Sequence, residues 1–139
     1  ENEQTQLADV IDCLRNQFPA LAISTGGCLE RSIGMSTEKA MIVLAHLADN
    51  AIRHNAKSLA IEAVGETSGI RATVGNDGDP ISEPNRDRIF DAFFTTRRDA
   101  GGTGMGLAIA QAVMVSHGGS IRLLPASRGV AFELEFPAI

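Results

Sequence analysis

A chain of 139 residues is the length of one domain and can bury a sizeable core. An apolar share of 44% and a charged share of 21% exclude a disordered or low-complexity chain. A net charge of −5 lacks the basic footprint of a duplex nucleic-acid binder, and with no Trp and no Tyr the stacking platforms of single-strand binders are missing too.

No apolar run approaches the roughly 18 residues that span a bilayer. No signal-peptide pattern opens the chain, and its start at Glu1 rather than Met reads as a piece of a longer protein. Cys13 and Cys28 form no CxxC and join no zinc-like cluster, so two reduced thiols are expected.

Leu7, Val10, Ile11 and Leu14 recur at helical spacing, predicting a helix over roughly 5–17 that Pro19 ends. Leu21–Ser24 reads as a short strand, with Gly26, Gly27 and Gly34 in the loop after it. Ser36 suits an N-cap and Glu38 a first turn, opening a helix to about Asn55. On that helix Ala40, Met41, Leu44, Leu47, Ala48, Ala51 and Ile52 share one arc. His46, Asn50, Arg53 and His54 gather opposite, with Ile42 and Val43 intruding. Leu59–Val64 and Ile70–Asn76 alternate as strands, joined by Gly65–Gly69, and Ile70, Ala72, Val74 and Asn76 share a face. Asn76-Asp77-Gly78 then turns the chain.

Residues 95–106 read as a loop. Leu107–Ser116, with only Gln111 and Ser116 polar, predicts a helix buried nearly all round and closed by Gly118 and Gly119. Ser120–Leu124 and Val130–Phe136 form a last hairpin around Pro125–Gly129. Three helices and about five strands make a two-layer α+β domain.

The glycines of GGTGMGLAIA, residues 101–110, precede a helix. Backbone N–H groups can approach a ligand there, and the helix start adds about half a positive charge, so this is an anion site. No Lys follows these glycines as in a P-loop, no strand directly precedes them as in a dinucleotide fold, and no HRD or DFG is present. The polar quartet on the long helix is a second signal. An Asn carbonyl is a hard oxygen ligand suited to Mg²⁺ that already carries phosphates, and Arg53 lies within reach of a phosphate oxygen. VGNDGDPI at 74–81 is the third: a polar strand end, a Gly turn and an apolar residue can bracket a flat base.

In this order HLADNAIRH (46–54), VGNDGDPI (74–81), IFDAFFTTR (89–97) and GGTGMGLAIA (101–110) resemble the ATP-binding catalytic domain of sensor histidine kinases. That domain belongs to the superfamily of DNA gyrase, mismatch-repair ATPases and heat-shock chaperones. The resemblance covers nearly all of residues 1–139, and His117-Gly118-Gly119 extends it. The close coupling of the phenylalanine box to the second glycine box favours the kinases within the superfamily.

The resemblance implies a two-layer α/β sandwich: a mixed sheet of about five strands with three main helices on one face. It implies ATP and Mg²⁺, with Asn50 as the metal ligand and catalytic residue and Arg53 and His54 on the phosphates. Asn76, Gly78 and Ile81 would form the adenine pocket, Phe90 and Phe93 would anchor a lid, and Gly102, Thr103, Gly104, Met105, Gly106 and Leu107 would hold phosphates. His46, one turn before Asn50, stands where the ATPases place a Glu base; a base role and a phosphate contact are both open. The implied activity is transfer of the γ-phosphoryl group to a histidine on a separate dimerisation domain of the same parent, with a response regulator downstream. The implied setting is cytoplasmic, in a parent that is or is not anchored in a membrane, with no membrane or nucleic-acid contact from this chain. A regulatory module without turnover and a serine kinase of the same superfamily carry the same motifs.

Three departures stand out. Asn76 replaces the Asp that usually accepts from the adenine amino group, Pro80 replaces a glycine, and Val130 stands where a Thr usually supports that Asp. Strand alternation turns Asn76, not Asp77, toward the pocket. The exchange trades a charged hydrogen bond of about 1.5–3 kcal/mol for a neutral one of about 0.5–1.5 kcal/mol.

Overall fold

A computed structural model describes residues 3–91, 106–125 and 129–139. In chain order the elements are β1 (Thr5–Gln6), α1 (Leu7–Gln17), β2 (Ala22–Gly27), β3 (Ser32–Ile33), α2 (Thr37–Arg53), β4 (Ser58–Glu66) and β5 (Gly69–Asn76). A 3-10 turn (Glu83–Arg88), α3 (Gly106–Ser116), β6 (Ser120–Leu123) and β7 (Val130–Pro137) follow.

Five strands form one sheet in the order β2-β4-β5-β7-β6. β2 runs parallel to β4, and the remaining pairs are antiparallel. The register follows from the apolar alternation. It aligns Ala63, Ala72, Leu134 and Ile121 in one row and Ile61, Val74 and Phe132 in the next, all buried. The intervening row, Glu62, Thr73, Glu133 and Arg122, lies on the other face, with Arg122 Nε 2.8 Å from Glu133 Oε1. A slip of one residue would exchange the two faces, so burial on one side pins the pairing.

The helices cover the apolar face. α1 buries Leu7, Val10, Ile11 and Leu14, and α2 buries Ala40, Val43, Leu44, Leu47, Ala48 and Ala51. Ser36 caps α2, its hydroxyl accepting from Lys39 N at 3.1 Å. α2 packs against both α1 and α3. The sandwich with a mixed five-stranded sheet is therefore the architecture expected.

Several local expectations need correction. Gly26 and Gly27 lie inside β2 rather than after it, and Gly27 takes φ +88° where a Cβ would strike the Ala63 carbonyl. β4 and β5 continue to the Glu66–Gly69 pair, so their hairpin loop is only Thr67 and Ser68. Thr5 and Gln6 leave the predicted helix to pair with β3. The buried arc of α2 takes in Val43 and leaves Ile52 exposed at 39%. α3 is not buried all round: Ala110 and Met114 are buried, while Val115 is 61% exposed. It contacts α2 and β6, so one side is enough to hold it. Gly119 N closes α3 onto Met114 O at 2.8 Å.

Candidate nucleotide site

β5 ends at Asn76, flanked in register by Leu59 of β4 and Val130 of β7. The turn after it is bonded at every residue. Asn76 Oδ1 accepts from Gly78 N at 2.8 Å, closing an Asx turn. Asp77 Oδ1 accepts from Lys57 N at 2.7 Å and Ser58 N at 3.0 Å. Those N–H groups, Ser58 foremost and then Lys57, hold the Asp77 carboxyl below the usual carboxylate range. Asp79 N donates to His54 O at 2.7 Å, and Asn55 Nδ2 donates to Asp79 Oδ2 at 2.6 Å. Gly78 has no room for a side chain, since a Cβ would stand 2.6 Å from His54 O.

These bonds fasten the turn to the C-terminal end of α2, the helix that carries Asn50. Asn55 follows the cap residue His54 and takes φ +69°. Asparagine tolerates this left-handed conformation better than other side chains. Asp77 and Asn55 hold the candidate site together; the sequence reading set Asp77 aside as facing away from the pocket and passed over Asn55 as a helix end. The one signal for Asn55 was its residue type just past a helix.

Asn50 sits on the edge of the buried arc of α2. At about 100° per residue it lies some 20° from Val43, which is fully buried. The side chain is half-buried, and among the described residues its Nδ2 is buried without a hydrogen-bond partner. An unpaired buried donor costs about 1–3 kcal/mol. A ligand oxygen placed there would relieve that cost, so Asn50 fits a site for anionic oxygens and the cation they carry. Among the described residues no three His, Cys, Asp or Glu converge as a metal cage. A cation here would thus rest on one amide carbonyl and on the phosphates themselves, the mode Mg²⁺ favours.

Arg53, one turn from Asp49, holds that residue's Oδ2 through Nε at 2.8 Å. His46 lies against the first residue of α3: a Cβ on Gly106 would stand 3.1 Å from His46 Nδ1. His54 reaches the Gly78 turn through its backbone carbonyl. Ile81 and Leu107 are half-buried against the core. Phe90 packs edge-on against Phe132, ring centroids 6.1 Å apart, and Arg86 Nη2 donates to Leu124 O at 2.6 Å. Phe93, Gly102, Thr103, Gly104 and Met105 lie outside the described residues.

The profile of the family described as histidine kinase-, DNA gyrase B-, and HSP90-like ATPase matches residues 36–139, the stretch holding all these groups. The chain belongs to this ATPase family. It is 30% identical to the sensor histidine kinase CusS of Escherichia coli, over 99% of this chain and 31% of CusS. It is 34% identical to the sensor protein IrlS of Burkholderia pseudomallei, over 68% of this chain and 22% of IrlS. The chain therefore spans less than a third of these relatives. The catalytic domain of histidine kinase ThkA superposes with a TM-score of 0.84 at 26% identity, covering 99% of this chain and 95% of that one. ThkA in complex with the response regulator TrrA superposes with a TM-score of 0.77 at 25% identity, over 98% of this chain and 41% of that one. The ATPase-family fold thus sets the Asn50 helix, the Asn76 turn and the start of α3 around one end of the sheet.

Proposed function

We propose that this ATPase-family domain is the catalytic part of a sensor histidine kinase. It binds Mg-ATP and presents the γ-phosphoryl group to a histidine on a dimerisation domain of its parent. The observation that carries this reading is the half-buried Asn50, its Nδ2 unpaired among the described residues, one turn from the helix end that is bonded to the Asn76–Asp79 turn. The names of the relatives and of the structural neighbours support it.

Asn50 Oδ1 would hold Mg²⁺, and Asn76, Gly78 and Ile81 would hold the base. Arg53 and His54 would meet phosphates, together with Gly102, Thr103, Gly104, Met105, Gly106 and Leu107 at the helix start. Mg²⁺ supplies neutralisation of charge on the phosphoryl oxygens. The residues of the chain do the positioning: they fix the triphosphate so that an acceptor nitrogen can approach the γ-phosphorus in line with the breaking bond to the β-phosphate oxygen. The parent acts on a response regulator, a reading that the ThkA complex with TrrA supports, and its proposed setting is the cytoplasm.

The test is transfer of radiolabel from ATP to a separately purified dimerisation domain. Acid-labile label supports the histidine kinase, acid-stable label supports a serine kinase, and binding without transfer supports a regulatory module.

A further inference from the structure

The Asn76 side chain ends in two atoms of opposite character. Oδ1 accepts from Gly78 N at 2.8 Å. That bond orients the amide, because turning it over would bring Nδ2–H against the Gly78 N–H, donor against donor. Nδ2 is then the terminal atom left over, and among the described residues it has no hydrogen-bond partner. The residue paired with Asn76 across β7 is Val130, buried and without a polar side-chain atom to receive an N–H. The neighbouring acidic residue is engaged elsewhere: Asp77 Oδ1 accepts from Lys57 N and Ser58 N at the start of β4.

Resting on the reading of Asn76 as the residue that meets the base, we propose that this site takes 6-oxopurine nucleotides, the guanine and hypoxanthine type, at least as well as adenine nucleotides. A carboxylate at this position, with one oxygen on Gly78, presents a second acceptor: it welcomes a 6-amino group and repels a 6-carbonyl. The oriented amide presents a donor instead. Nδ2 donates to the 6-carbonyl, and the ring N–H beside that carbonyl finds the remaining lone pair of Oδ1. Adenine carries a donor at position 6, which faces the Nδ2 donor unless the base shifts onto Oδ1.

Calorimetric titration of the chain with the Mg²⁺ complexes of ATP, GTP and ITP decides the matter. ITP differs from GTP by lacking the 2-amino group, so it isolates the 6-oxo edge. GTP and ITP are each expected to bind at least as tightly as ATP. Asn76→Asp is expected to move the ratio toward ATP by about tenfold or more, a change of one hydrogen-bond match to a mismatch. ATP binding more tightly than either of the others in the unmutated chain overturns the proposal and leaves nucleotide binding intact. A folded Asn76→Asp chain with an unchanged ratio overturns the assignment to Asn76. Binding of none of the three removes the nucleotide-site reading, and the proposal with it. The unmutated chain alone suffices should the variant fail to fold.

Discussion

His46 fills the space that a side chain on Gly106 would need, its Nδ1 standing 3.1 Å from where that Cβ would be. The contact joins the polar face of α2 to the first residue of α3, whose N-terminal N–H groups are the proposed phosphate donors. It predicts a coupling between the two positions. Within a helix alanine is favoured over glycine by about 0.5–1 kcal/mol, and at the first residue by part of that. Gly106→Ala should realise that gain in a His46→Ala background and fall short of it, or lose stability, in the unmutated chain. Thermal denaturation of the four proteins measures the cycle. Equal effects of Gly106→Ala in both backgrounds would show that the ring gives way freely.

Asn50 separates function from stability. Asn50→Ala removes the proposed metal ligand, and a positioning loss of this kind lowers phosphoryl transfer to a supplied acceptor domain by about 100-fold or more. The same substitution removes a buried, unpaired Nδ2, which offsets the loss of packing. The expected outcome is a folded protein with a melting temperature close to the parent's and almost no transfer. Near-normal transfer would sink the assignment of Asn50. A collapsed melting temperature would show that Asn50 is chiefly structural.

Asp77 ties nucleotide binding to acid pH. Its carboxyl titrates below the usual carboxylate range because Ser58 N and Lys57 N donate to it. A carboxyl with a depressed folded value contributes stability above its unfolded value and loses it as pH falls through the folded value. The turn should therefore stay fastened at neutral pH and loosen only below about pH 4. Asp77→Ala should weaken nucleotide binding at pH 7 by several-fold, while Asp77→Asn, which keeps an accepting Oδ1, should restore most of it and remove the acid dependence. Titration calorimetry across pH reads both. Equal losses in the two variants would mean that the charge, and not the bonds to β4, holds the turn.

The sheet was legible because its signal has period two: Ile70, Ala72 and Val74 alternate, and each is buried in the structure. The rotation of α2 was less so. Met41 and Ile52 are as apolar as Val43, and the arc drawn through them is centred some 40° from the one that is buried, at 100° per residue. Asn50 lies beside Val43 whatever the rotation; the rotation turns that edge of the helix to the core and buries Asn50 Nδ2. The pairing of Thr5 and Gln6 with Ser32 and Ile33 is two residues long, too short to carry periodicity. The bonds of Asp77 to Lys57 and Ser58 span about twenty positions of sequence and join side chain to backbone, so no local pattern announces them. The motif residues of the site could be named from order and spacing. What holds them could not.

The chain's three histidines bear on whether it can label itself. An acceptor imidazole must reach the γ-phosphorus in line, at roughly 3–3.5 Å. His46 and His54 belong to α2 and its cap, the unit that carries Asn50; one ring lies against Gly106, and the carbonyl of the other is bonded to Asp79 N. Neither can swing round to attack. His117 follows the last residue of α3, its Nδ1 2.8 Å from Val113 O. A carbonyl only accepts, so that nitrogen carries the proton and the ring is tethered. The 11 residues of α3, at 1.5 Å each, put His117 roughly 16 Å from the helix start where the phosphates would lie. The isolated chain is therefore expected to bind Mg-ATP without acquiring label, and to label a histidine on an added dimerisation domain. Incubation with γ-labelled ATP, alone and with that domain, followed by gel autoradiography, makes the comparison. Stoichiometric phosphohistidine on this chain alone would overturn the account of a catalytic domain that needs its acceptor in trans.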